Sequence, residues 1–415
     1  MAPVRLRSVA QDAHGARPPG PVLAPLYAAG FTTAFGAHAI AAGLGAESGD
    51  LGVGLLAFGL LLAVYDLAEV VLKPVFGTLS DRIGVKPVIV GGLVVFALAS
   101  FAGVFAGNAL LLGAARLGQG AAASAFSPAS SAAVARLAGP ATVGRYFGRY
   151  GSYKGLGYAL GPLIGAALIG VGGFPLLFGA LTAVAAITAG WAMLAVPRLP
   201  VLPRPRYTLA DLVRQTTHRS FLVPTLALAA ATGALGVAVG FLPLLATSLQ
   251  LPLLASMAAV TVLAVASTVT QPIVGRLRDS GRVTTRAGVA GGLGLIALGV
   301  ALLAAVPVTA VVYLTAAIIG LGIGTVTPLG FAHLAATTPP ERLGRTMGSA
   351  ELGREVGDAG GPLLVGGIAA AVGVGLGLGA LALVIAVVAV LALVLLQRAQ
   401  SGSELQARRS STGTG

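Results

Sequence analysis

Residues Gly144 to Gly165 read GRYFGRYGSYKGLGYALGPLIG, and residues Gly344 to Val365 read GRTMGSAELGREVGDAGGPLLV. The second stretch lies 200 residues after the first without a gap, and Gly144, Arg145, Gly148, Gly157, Ala159, Gly161, Pro162 and Leu163 recur as Gly344, Arg345, Gly348, Gly357, Ala359, Gly361, Pro362 and Leu363. Pro128 and Pro140 likewise recur as Pro328 and Pro340. A chain that repeats itself in this way is two copies of one unit, and each copy is expected to fold alike.

The medium in which they fold follows from composition. The chain has 415 residues, of which 56% are hydrophobic and only 9% charged, with a mean hydropathy of +0.93. That is more apolar surface than one water-facing protein can bury, so the solvent is lipid. No cysteine is present, which excludes a disulfide framework and a thiolate metal site. The net charge of +13 does not point to nucleic acid, because the basic residues sit between apolar runs and not on a basic face with interleaved aromatics.

A hydrocarbon layer about 30 Å thick takes about 20 apolar residues of helix. The apolar runs predict twelve spans, near 22–45, 51–76, 87–107, 109–134, 147–170, 174–196, 221–247, 252–275, 286–306, 309–335, 346–371 and 374–396. The reading is an all-α membrane protein of twelve transmembrane helices in two pseudo-symmetric six-helix bundles. The expected organisation is a cytoplasmic N-terminal tail at 1–21, a first bundle at 22–196, a cytoplasmic linker at 197–220, a second bundle at 221–396 and a cytoplasmic C-terminal tail at 397–415. The opening residues lack the apolar core of a signal peptide, so the first span is expected to be retained. The last tail is polar and expected to be disordered. Within the linker, TLADLVRQ is expected to form a short interfacial helix, with Thr208 as its cap.

Of the 26 basic residues, 22 fall in the tails and on one alternate set of loops, and Lys73, Arg116, Lys154 and Arg354 fall inside spans. Basic residues concentrate on the cytoplasmic side, so both termini are expected inside. Twenty-three of the 26 are Arg, and with the Ala and Gly excess this points to a bacterium with GC-rich DNA and to its inner membrane.

Three stretches resemble a known family. The segment Gly77-Thr-Leu-Ser-Asp81-Arg82-Ile-Gly84-Val-Lys86 after the second span is similar to the signature loop of the major facilitator superfamily, and Gly275-Arg-Leu-Arg-Asp279 after the eighth is its weaker echo. The fourth span, with Arg116 and Gln119-Gly120, resembles the second signature of proton-driven members. The fifth, with Gly148, Gly157, Gly161-Pro162 and Gly165, resembles the antiporter signature of the drug exporters, departing from it at Ala166. The resemblance covers nearly the whole chain. It implies the major facilitator fold, with Asp81 latching the two halves in the outward-open state, Arg82 and Lys86 supporting it, and Arg116 holding a carboxylate ready to exchange a proton. A snorkelling Arg116 is the competing reading.

The glycines at 157, 161 and 165 share one helical face about 80° wide, which admits a neighbouring helix closely. Pro162 leaves the carbonyl of Tyr158 without a donor and bends the helix there. Gly148, Gly157, Gly161, Pro162 and Gly165, with Gly357, Gly361 and Pro362 in the second copy, are therefore expected to form smooth hinges at the interface between halves. Ordinary small-residue packing is the alternative.

Charges inside the membrane are costly and mark function. Asp66, Glu69 and Lys73 share a face of the second span, and Glu351, Glu355 and Asp358 share one of the eleventh, with Arg354 at its edge. In the superfamily fold these helices meet, so Lys73 and Arg354 are expected to pair with the opposite carboxylates when the inner side is closed. They are either permanent structural ion pairs or part of a proton relay, in which Asp66 and Asp358, the deepest, carry the proton. His38 and Gln119 are candidate cavity residues. No nucleotide-binding motif or metal-ligating cluster stands out, so neither cofactor nor metal is expected.

The expected function is secondary active transport, namely proton-coupled export of small amphiphilic molecules or drugs, with no catalysis, a proton gradient as energy source and a monomer in the bilayer. A proton symporter or uniporter of a small metabolite such as a sugar is the alternative, and a non-transporting receptor or assembly partner the alternative of another class.

Overall fold

The computed structural model describes residues 20–47, 55–202, 217–306 and 308–396; both tails and the segment expected to hold the interfacial helix lie outside the described residues. Twelve helices follow one another among the described residues. They are α1 (Gly20–Glu47), α2 (Leu55–Ile83), α3 (Val85–Val104), α4 (Ala109–Ala138), α5 (143–171), α6 (174–195), α7 (Arg219–Ser248), α8 (Leu253–Asp279), α9 (Thr285–Ala305), α10 (Thr309–Thr337), α11 (Leu343–Val372) and α12 (Val374–Leu395). Between α5 and α6 the helix breaks only at Gly172 and Gly173, and Gly173 takes a φ of 64°, a left-handed conformation that glycine adopts without strain. Asn108 caps α4, its side chain accepting from the Leu111 amide at 2.9 Å.

The two halves repeat each other in packing. In the first, α1 lies on α5, α2 and α3 lie on α4, and α3 lies on the α5–α6 unit; in the second, α7 lies on α11, α8 and α9 on α10, and α9 on α12. One apolar core lies around Phe96, Phe126 and Phe178 of the first half and continues across the junction to Phe331 and Met347, and a second lies within the other half around Leu293, Ile319 and Leu329. The outer surface is apolar as well, with Leu98, Leu110, Leu194 and Val394 exposed. Among the described residues, seven helical segments, counting 143–195 as one, are long and apolar enough to cross a membrane by length and composition. A protein apolar inside and out, with its backbone paired within helices, suits the bilayer.

Two departures from the expected boundaries matter. The stretch 77–83, read as a loop, is the last two turns of α2, and the connection to α3 is Gly84 alone, at φ 96°. At the same end of the molecule α4 and α8 also outrun their apolar stretches, reaching Ala138 and Asp279, and α5 and α11 begin earlier than expected, at Val143 and Leu343. Hydropathy stops where the chain turns polar, whereas the backbone ladder continues as long as its amides have partners.

The glycines of α5 serve two opposite faces. A Cβ on Gly157, Gly161 or Gly165 would run into α1, at Phe31, His38 and Ala39, which is packing inside one half. A Cβ on Gly144, Gly148, Gly151 or Gly155 would run into α8 of the other half, at Gly275, Gln271 and Thr268. In α11, Gly357 and Gly361 press on Ala229 and Gly233 of α7, and Gly344 and Gly348 on Gly77 and Lys73 of α2. The expectation that 157, 161 and 165 line the interface between halves is thus corrected: of the residues named as hinges only Gly148 does, and the others close each half internally. Gly361→Val, which sets a side chain against the Gly233 backbone, is expected to lower stability in detergent by about 1–3 kcal/mol. Gly360→Ala, one residue earlier and facing open space, should leave the thermal midpoint where it is or raise it slightly.

Candidate functional site

The first four amides of a helix need acceptors from outside it. Neither α5 nor α11 finds one locally, since the side chains of the residues that precede them, Thr142 and Arg342, make no capping bond. The caps come from the opposite half. Asp81, on the last turn of α2, accepts from the Gly344 and Arg345 amides at 2.8 and 2.9 Å. Asp279, at the end of α8, accepts from the Gly144 and Arg145 amides at 2.9 and 2.7 Å. Each carboxylate sits on the positive end of a helix dipole and holds the two halves together at this end. The glycines permit it, since Gly77 lies against Gly344 and Gly275 against Gly144. Gly84 makes the turn that follows. Arg82 and Lys86, expected to support Asp81, make no hydrogen bond or ion pair among the described residues.

Deeper in, a charge network spans the halves. Lys73, with none of its side chain exposed, donates to Glu69 at 2.8 Å and to Glu355 of α11 at 2.6 Å, and lies 3.8 Å from Glu351. Glu351 is also wholly buried, and its four named partners all belong to the first half: Ser127 at 2.5 Å, Ser131 at 3.4 Å, Lys154 at 3.5 Å and Lys73. A buried carboxylate is tolerated only when so surrounded, and loss of one partner leaves an uncompensated charge. The pairing expected of Lys73 is present. That expected of Arg354 is not, because its guanidinium lies over the Phe331 ring at 5.8 Å and the cation that crosses to the other half from α5 is Lys154.

Arg116 is buried, which settles against snorkelling. It donates to the Gly36 carbonyl at 3.3 Å and to Gln119 at 3.2 Å, and lies 4.2 Å from the centre of the Tyr65 ring. It makes no ion pair with a carboxylate among the described residues. Gln119 donates on to Ser100 at 2.8 Å, so it holds Arg116 in place, and it is not among the residues that line the two central cavities, contrary to expectation. Tyr65 in turn donates to Glu69 at 3.3 Å, a link between Arg116 and the network.

Above the network is a cavity of about 140 Å³ lined by polar groups, including His38, Asp66, Glu69, Arg116, Glu355 and Asp358. His38 stands edge-on to Tyr158 with ring centres 4.4 Å apart. Asp66 and Asp358 face this space from opposite halves, and neither makes a hydrogen bond or ion pair among the described residues. A second, smaller cavity of about 50 Å³ lies on the other side of Lys154 and Tyr158, walled by Tyr150, Leu235, Leu263, Phe331 and Arg354. The first draws on α1, α2, α4, α5 and α11, the second on α5, α7, α8, α10 and α11. Sequence reasoning had no means to find Ser127, Ser131 or Tyr65 as members, since hydroxyls in apolar runs carry no spacing signal.

The described residues thus form twelve helices in two matching bundles, a membrane protein with a polar centre at the junction of its halves. The Major Facilitator Superfamily profile matches residues 26–283 and 225–414, so the chain belongs to that superfamily, whose members are transporters and not enzymes. A multidrug resistance protein B homolog of Mycobacterium tuberculosis is 36% identical over 114 residues, which is 28% of this chain and 21% of the relative. The quinolone resistance protein NorA of Staphylococcus aureus is 30% identical over 125 residues, 30% of each chain. The matched stretch thus spans less than a third of either relative. Two solved structures share the fold with a TM-score of 0.76. The human organic anion transporter MFSD10 (TETRAN) is 17% identical, over 90% of this chain and 99% of the other. The transporter FucP, in the outward conformation, is 16% identical, over 92% and 100%.

Proposed function

We propose that the protein exports small amphiphilic molecules or drugs across a bacterial inner membrane in exchange for protons, by alternating access of the central cavities to the two sides. The observation that carries this reading is the pair Asp66 and Asp358, two carboxylates that face one open polar cavity from opposite halves, neither side chain with a hydrogen-bond partner among the described residues. Such groups can exchange a proton or meet a cationic ligand without first breaking another bond. The Arg-rich end, where Asp81 and Asp279 latch the halves, is the cytoplasmic side by its charge, with both termini there. Every bond between halves described above lies on that side of Asp66 and Asp358, so this arrangement is the one closed toward the cytoplasm. In it, Lys73, Lys154, Glu351 and Glu355 form the floor that must part for the cavity to open inward. The names of the two bacterial relatives support drugs as the substrate class. Unpaired acidic groups beside Tyr158 and His38 suit an amphiphile bearing a positive charge.

The test is accumulation of a lipophilic cationic dye in cells that express the protein. Expression is expected to lower accumulation at least about threefold, and a proton uncoupler to restore it. Uptake of a nutrient that ignores the uncoupler would instead show a uniporter, and the export reading would fall.

A further inference from the structure

Apart from the central cavities, an open groove of about 590 Å³ runs along the lipid-facing side of α8, α9 and α10. Its mouth is at the latch end, at Arg282 and Thr284, and it continues past Gly288 and Gly291 to Leu295. From the first residue of α9 to Leu295 is ten residues of helix, or roughly 15 Å. That is half of a hydrocarbon layer about 30 Å thick, the depth of one leaflet. The floor is open because of glycine: a Cβ at Gly291 would meet nothing within 4 Å.

The mouth is positively charged. The stretch from Arg276 to Arg286 holds four arginines against the single Asp279, and that carboxylate is engaged with the α5 amides and with Arg278 at 3.2 Å. Arg282 is exposed, and its guanidinium makes no hydrogen bond or ion pair among the described residues. Beside it begins α9, 21 residues long, whose N-terminal amides favour an anion.

We propose that this groove binds an anionic phospholipid, with one acyl chain along α9 over Gly288 and Gly291 and the phosphate at Arg282 beside the α9 N-terminus. A chain one leaflet deep and an anion at the membrane surface are what the groove and its mouth complement, and one molecule supplies both. The inference is independent of what the central cavity transports. It places the lipid phosphate at Arg282, three residues along the chain from Asp279, the residue that latches α5.

The experiment is titration of phosphatidylglycerol into the full chain in detergent, read as bound lipid by native mass spectrometry. Two variants separate the parts of the site. Arg282→Gln removes the charge, and Gly291→Leu fills the groove while leaving every charge in place. Arg282→Gln is expected to weaken the tightest lipid about fivefold, the effect of one surface arginine on an anionic lipid. Gly291→Leu is expected to weaken it at least as much, and phosphatidylcholine with the same acyl chains to bind at least about fivefold less tightly than phosphatidylglycerol. Unchanged affinity in either variant overturns the proposal, since loss with Arg282→Gln alone is only surface attraction and loss with Gly291→Leu alone is only chain packing. Displacement by glycerol phosphate at equal concentration also overturns it, because the chain would then contribute nothing. Both positions face outward, and an unchanged thermal midpoint in each variant confirms that the fold is kept.

Discussion

Asp358→Asn is expected to flatten the pH dependence of transport and to lower gradient-driven export at least about tenfold, a factor equivalent to about 1.4 kcal/mol. Substrate exchange without a gradient should persist. The reason is geometric: Asp358 borders the polar cavity and holds no partner there, so its neutralisation breaks no structural bond and removes only a group able to carry a proton. Glu351, buried among Ser127, Ser131, Lys154 and Lys73, is the contrasting case, and Glu351→Gln should cost stability as well as transport. The measurement is dye export by everted vesicles across the neutral pH range, with Asp66→Asn in parallel because it faces the same space. If both variants keep the pH profile of the parent, neither carboxylate carries the proton and the coupling assigned to this cavity is wrong.

The double variant Asp81→Ala with Asp279→Ala should release the latch end. Each aspartate caps a helix that has no local cap, and such a cap is worth about 1–2 kcal/mol. The two lie on different helix pairs, so their losses should add. Together they would shift the balance toward the cytoplasm-open form by roughly 30-fold or more. Ser80 reports the change: it is wholly buried beside Gly344, and the chain has no cysteine, so Ser80→Cys is a single labelling site. Its reaction with a water-soluble maleimide should speed up modestly with either aspartate removed and steeply with both. A double variant that labels no faster than the Asp81→Ala single would show that Asp279 is not a second latch.

Asp279 shows how far the sequence could be read. As an echo it was degenerate, with only Gly275, Leu277 and Asp279 kept, and nothing in the string shows that it matches Asp81 bond for bond. The match appears once α8 is laid on α5, because the acceptors it satisfies are backbone amides, which any sequence has. The same holds for the two glycine faces of α5. Their spacing was legible, but spacing identifies a smooth face and not the helix that meets it. Arg354 failed as a predicted partner for a related reason: helical periodicity places a side chain within a sector of its own helix, while its contacts depend on what packs there, here the Phe331 ring.

Composition, hydropathy and the internal repeat were enough to determine a twelve-helix membrane protein made of two like halves, because burial in lipid and duplication both act along the chain and leave periodic marks there. The residues Asp66, Glu69, Lys73, Glu351, Glu355 and Asp358 were legible for a similar reason: a charge within an apolar span is costly and therefore conspicuous. Only the tertiary structure decided which of them are paired and which face an open cavity, and it alone supplied Lys154, Ser127 and Ser131 to Glu351. Those facts depend on how helices more than 190 residues apart in the chain cross, and whether a buried charge is locked or free is set by the few ångströms to its neighbours.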